Sequence, residues 1–177
     1  RHFAHAVEHF GAGLGLEADG DFAAVGVVEH SPQAAGEVRH GRVAADVIEA
    51  ISEITASVPI IATGAQCPRW VGDRTLAIVL SPSGDEPALV AATDAAREAG
   101  ARLVAVTSGG ALAAACKEWG VPVVPVDHEA GPAAGLGVSI VPVLVLLERL
   151  GLVGGMSSAI TAVAAQLEER HHALDRD

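Results

Sequence analysis

The chain has 177 residues, half of them apolar but only 3% aromatic, with a formal net charge of −11. That length suits one domain whose core is built from Ala, Val, Leu and Ile. The acidic balance argues against nucleic acid and anionic membranes as partners. In chain order, 1–18 reads as an N-terminal helix, 19–153 as the core and 154–177 as a C-terminal helix, with no linker dividing them. Phe22–Val28 is an apolar run of strand length, and Ala34–Ile54 has helical periodicity through Val38, Val43, Val47, Ile48, Ile51 and Ile54. Val58–Ala62 and Thr75–Leu80 are the second and third strands. Ala88–Ala99 is helical, with Pro87 suited to its first turn and Gly100 to its C-terminal cap. Arg102–Val106 is a strand, Ala111–Trp119 a helix ending at Gly120, and Val121–Val126 the fifth strand. Gly137–Leu150 is helical, with a kink expected at Pro142.

This βαβ rhythm predicts an α/β fold: a three-layer α-β-α sandwich around a five-stranded parallel sheet in flavodoxin-like order, with Thr75–Leu80 central. Such sheets bind ligands outside the carboxyl ends of their strands. Ser81-Pro82-Ser83-Gly84-Asp85-Glu86-Pro87 falls there, between a strand and a helix. Its two hydroxyls donate, its Gly lets backbone approach closely, and the helix start adds free N–H groups and a partial positive charge. Thr107 and Ser108 end the next strand, so both sets of hydroxyls are expected in one crevice, which reads as an anion site. The alternative for each is an ordinary helix-cap or strand-to-helix turn. Asp85 and Glu86 also suit a first helical turn by complementing its dipole.

The segments Val58-Pro-Ile-Ile, Trp70-Val71, Asp73 to Asp85, Gly100 to Gly110, Gly120 to Val126 and Leu147 to Leu152 together resemble a sugar isomerase (SIS) domain. The resemblance runs from about Val58 to Val153 and is most like the first half of bifunctional phosphoglucose/phosphomannose isomerases. It implies a phosphorylated sugar held by the Ser-x-Ser-Gly turn, with Ser81, Ser83, Gly84, Asp85, Thr107, Ser108 and Ser31 as binding residues. It also implies interconversion of aldose and ketose phosphates by proton abstraction next to the carbonyl, and no cofactor.

Four positions depart from that pattern. Glu86 stands where the family has a Thr or Ser that holds phosphate. Two unit charges 4 Å apart repel by about 4 kcal/mol at an effective dielectric of 20, so Glu86 must turn outward for phosphate to sit there. Val28-Glu29-His30-Ser31-Pro32 replaces a Gly-Gly-Ser loop, and Ala133 falls where an Arg follows a Pro. The family's second SIS domain, which contributes acid–base residues, would begin near Asp177. The resulting expectation is a phosphosugar-binding domain of isomerase type that needs a second domain or subunit to turn over. The alternative is a non-catalytic sensing or dimerisation domain with a degenerate site.

Other candidates are less specific. His128 and Glu129 follow the fifth strand and form a pair able to transfer protons, though a solvated loop is the plainer reading. His2, His5 and His9 share a helical face at metal-ligand spacing, but a terminal helix needs no metal, and none is expected; His171 and His172 read as a solvated helix end. Ala133–Leu147, the most apolar stretch, has 15 residues against the ~20 needed to span a bilayer. It predicts a core helix or the interface of a homodimer. Trp70 and Trp119 read as packing residues. Cys67 and Cys116 fit no metal spacing, and no signal peptide is visible at the N-terminus, so a reducing cytoplasmic compartment is expected. The chain opens on Arg1 and its sole Met is Met156, as in a piece of a longer translation product.

Overall fold

The computed structural model describes residues 22–29, 40–126 and 132–174. Five strands, β1 (Ala24–Glu29), β2 (Ile60–Thr63), β3 (Thr75–Leu80), β4 (Arg102–Thr107) and β5 (Val123–Pro125), form one parallel sheet in the order β2-β1-β3-β4-β5. This is the flavodoxin-like order expected from the sequence. Thr75-Leu-Ala-Ile-Val-Leu is central because every residue of it is apolar or β-branched and every one is buried. β5 lies at an edge, which is where its terminal Pro125 is tolerated.

Alternation along the strands sorts side chains between two helical layers. Val25, Val27, Leu76, Ile78, Leu80, Val104 and Val106 face α1 (His40–Thr55) and α4 (Pro132–Arg149), meeting Ala45, Ile48, Val143, Leu144 and Leu147. Val28, Val79 and Ala105 face α2 (Pro87–Glu98) and α3 (Gly110–Trp119), meeting Leu89, Ala92, Leu112 and Cys116. A smaller cluster of Ala77, Ala96 and Leu103 lies on the second face. No helix connects β2 to β3. The loop between them lays Trp70 over β1 instead, with its ring edge 3.2 Å from where a Cβ on Gly26 would stand. The packing role read for Trp70 is the one it has.

Several sequence expectations shift at the boundaries. The helix expected from Ala34 is described from His40, and residues 34–39 lie outside the described set. Val43 and Ile54, counted on its apolar face, are 45% and 88% exposed. Ile54 follows Ile48 by six residues, about 240° around a helix of 3.6 residues per turn, so it points to the opposite side. Pro142 sits inside one uninterrupted helix, buried beside the core residue Val143. Gly100 and Gly120 end their helices as expected, each at positive φ (87° and 70°), and the chain turns there through Ala101 N–H to Ala96 O and Val121 N–H to Cys116 O. The last helix, α5 (Met156–Leu174), stands largely exposed. No helix among the described residues is long and apolar enough to cross a membrane.

Candidate functional site

The turns after β3 and β4 interlock at the carboxyl edge of the sheet. Ser81 N–H donates to Val106 O at 3.1 Å, Ser108 N–H to Pro82 O at 3.0 Å, and Leu112 N–H to Gly84 O at 2.8 Å. Asp85 reaches across and accepts the Ala111 N–H on Oδ1 at 3.2 Å, which caps the first turn of α3. Two glycines make this approach possible. A Cβ on Gly84 would overlap the Gly109 carbonyl oxygen and lie 2.6 Å from Thr107 Oγ1; one on Gly110 would lie 2.6 Å from the Gly84 carbonyl carbon. Sequence reasoning placed Gly84 but missed Gly110. The Gly109-Gly110 pair after Ser108 was its visible signal.

So Ser81, Ser83, Gly84, Asp85, Thr107 and Ser108 do gather in one place. Their hydroxyls are engaged in different ways. Ser81 is 1% exposed; its Oγ accepts the Gly84 N–H at 2.9 Å and donates to Glu86 Oε2. Ser83 Oγ donates to Glu86 Oε1 at 3.0 Å and accepts the Asp85 N–H at 3.4 Å. Thr107 is also 1% exposed, and its Oγ1 both donates to Gly109 O and accepts the Gly109 N–H, closing its own turn. Ser108 stands open to solvent.

Glu86 is therefore turned inward, not outward. It is the N-cap residue of α2, yet its side chain makes no capping hydrogen bond to that helix. Each carboxylate oxygen instead takes one serine hydroxyl. Chemically this is what a bound anion would do on the same two donors. Pro87, at the start of α2, brings no N–H of its own.

Thr63 ends β2 at the same edge, and its buried hydroxyl has no partner among the described residues; sequence reading passed over it, because a Thr at a strand end carries no motif. Ser31, His128 and Glu129 lie outside the described residues, as do His2, His5 and His9. Among the described residues no group of three or more His, Cys, Asp or Glu side chains is placed to hold a metal ion. An open cleft of about 410 Å³, lined by Glu49, Ser52, Glu53 and Ser57, lies at the start of β2. That is the amino edge of the sheet, opposite to where such folds bind ligands.

No family model matches the sequence. A bifunctional phosphoglucose/phosphomannose isomerase of Caldicellulosiruptor bescii is 33% identical over 107 residues, which is 59% of this chain and 32% of the relative. A solved structure from Silicibacter pomeroyi DSS-3, of a protein assigned as a phosphosugar isomerase, has a TM-score of 0.67 at 24% identity. It is matched over 92% of this chain and 48% of its own. Tagatose-6-phosphate ketose/aldose isomerase from Escherichia coli has a TM-score of 0.58 at 13% identity, over 84% of this chain and 41% of its own. The chain thus spans about a third of its curated relative and under half of each structure. Strand order and helical layers are those of the phosphosugar isomerase structures, and together with the sequence similarity they support an SIS-type α/β domain.

Proposed function

We propose that this domain binds a phosphorylated sugar at the carboxyl edge of β3 and β4, as part of an aldose–ketose isomerase. The observation that carries the reading is the interlocked pair of turns. Ser81, Ser83 and Ser108 bring three hydroxyls to the carboxyl edge of the central strands, Ser81 and Ser83 on either side of one carboxylate. A phosphate monoester needs converging donors of this kind. Proton transfer at the sugar carbons requires a base and an acid, for which this chain offers His128 and Glu129; the part of the relative that this chain does not match is the expected source of others. The chain alone is expected to bind without turning over. The experiment is amide chemical-shift mapping during titration with glucose 6-phosphate or fructose 6-phosphate, alongside a coupled isomerase assay. Shifts confined to residues 81–86 and 107–111 support the reading, and shifts elsewhere or none at all overturn it.

A second reading, a non-catalytic sensing domain, is favoured by one observation: Glu86 already fills the hydroxyl donors. It is separated from the first by joining to this chain the part of the relative that it does not match and assaying isomerisation.

Self-association is also proposed. α4 directs Val143, Leu144, Leu146 and Leu147 into the domain's own core, so most of the apolar surface expected at an interface is already covered. Val138, Val141 and Val145 remain only half-buried, at helical spacing. Val163 and Leu167 on α5 are 55% and 61% exposed. These faces support a homodimer. Light scattering at high micromolar concentration should give twice the chain mass; a monomer contradicts it. A reducing, cytoplasmic setting is supported by two free cysteines, Cys67 and Cys116.

A further inference from the structure

We propose that Glu86 is a resident ligand of the crevice: its carboxylate holds the place of the incoming phosphate, and a phosphorylated sugar binds only by displacing it. The inference rests on the phosphosugar reading above and adds a lock to that site.

Most of the donors that a phosphate would use are engaged internally, while Ser108 stands open to solvent. Ser81 and Ser83 hydroxyls go to the two oxygens of Glu86. The N–H groups of Gly84 and Asp85 go to Ser81 Oγ and Ser83 Oγ. Those of Ser108, Gly109, Ala111 and Leu112 go to Pro82 O, Thr107 Oγ1, Asp85 Oδ1 and Gly84 O. The backbone bonds hold the two turns together and are not available for exchange without unlocking them. The bonds to Glu86 are different, because they end on a side chain that can rotate away. Helix capping does not account for its position, since it makes no bond to the N–H groups of α2. The two hydroxyls do account for it.

A carboxylate tethered one residue from the helix start competes at an effective concentration of millimolar or more. Apparent phosphate affinity falls in proportion to the fraction of molecules in which Glu86 has swung out. A dianion and the carboxylate cannot share the two hydroxyls, so the competition is all-or-none at each molecule.

The test titrates the full chain, E86A and E86Q by calorimetry with glucose 6-phosphate and, separately, with unphosphorylated glucose. E86A removes the resident oxygens; E86Q keeps the side-chain bulk but removes the charge, and serves if E86A fails to fold. The expected result is glucose 6-phosphate binding tightened by about tenfold or more in both variants, with no gain for glucose. If the unmodified chain binds glucose 6-phosphate as tightly as the variants, Glu86 is no competitor and the inference falls while the phosphosugar site stands. If neither chain nor variants bind, the phosphosugar reading falls, and this inference with it. An equal gain for glucose and its phosphate overturns the inference too, because Glu86 would then block the crevice without mimicking phosphate.

Discussion

Gly84 and Gly110 meet back to back where the turns after β3 and β4 cross, and both adopt left-handed backbone, at φ 77° and 69°. A methyl on either would collide with the backbone of the other turn and would also strain its own residue. Gly84→Ala or Gly110→Ala should therefore cost about 2–4 kcal/mol of stability. Gly64→Ala and Gly72→Ala, where a Cβ would meet nothing within 4 Å, should cost far less. Urea midpoints of the four variants decide this, and equal midpoints contradict it.

The start of α5 is capped from the end of α4. Glu148 Oε2 accepts the Ser157 N–H at 2.9 Å and the Ser157 hydroxyl. That hydroxyl first, and the amide second, hold the Glu148 carboxyl below its ordinary range. A lowered folded-state value means the charged form is preferred in the native state. Its contribution is present above the ordinary carboxylate pKa and is lost as pH falls through the lowered one. Glu148→Ala should cost about 1 kcal/mol, the scale of a lost helix cap, and should speed amide exchange in the first turn of α5. Unchanged exchange at Ser157 and Ser158 would contradict the cap.

Cys116 is fully buried between α3 and the sheet, and burial raises its thiol from 9.0 to about 11. The native state holds the proton more tightly than the unfolded chain. Stability from this group is therefore complete below pH 9.0 and is lost as pH rises towards about 11. The domain should lose on the order of 2 kcal/mol across that window through this group, and Cys116→Ala should remove that part of the slope. Cys67, only partly buried, should react with iodoacetamide well before Cys116 does. Equal labelling rates would show that Cys116 is accessible.

The sheet was legible because each strand is centred on an apolar run and the helices that cover it carry apolar residues at 3.6-residue spacing. Gly100 and Gly120 mark two helix ends unambiguously. Val43 and Ile54 misled because a hydrophobic side chain on a helix need not face the core, and periodicity alone cannot say where a stripe ends. The crevice was legible through Ser81, Ser83, Gly84 and Ser108, which share one edge once the strand order is known. The direction of Glu86 was not legible. Sequence reasoning weighed its charge against a phosphate and required it to turn outward only for phosphate to sit there; it did not see that the two serine hydroxyls three and five residues before it would hold the carboxylate. Gly110 was missed for a related reason: its role depends on a turn 26 residues earlier.

The central claim, that this crevice is built for the phosphate of a sugar, is tested most directly by restoring a hydroxyl where the carboxylate stands. Calorimetric titration of Glu86→Thr with glucose 6-phosphate should show binding tightened by about 1–3 kcal/mol over the unmodified chain, the scale of a charge-assisted hydrogen bond gained. Adding Ser81→Ala to Glu86→Thr should abolish the gain. A Glu86→Thr chain that binds no better than the unmodified one, or a gain that survives the loss of Ser81, would show that the crevice is not a phosphate site.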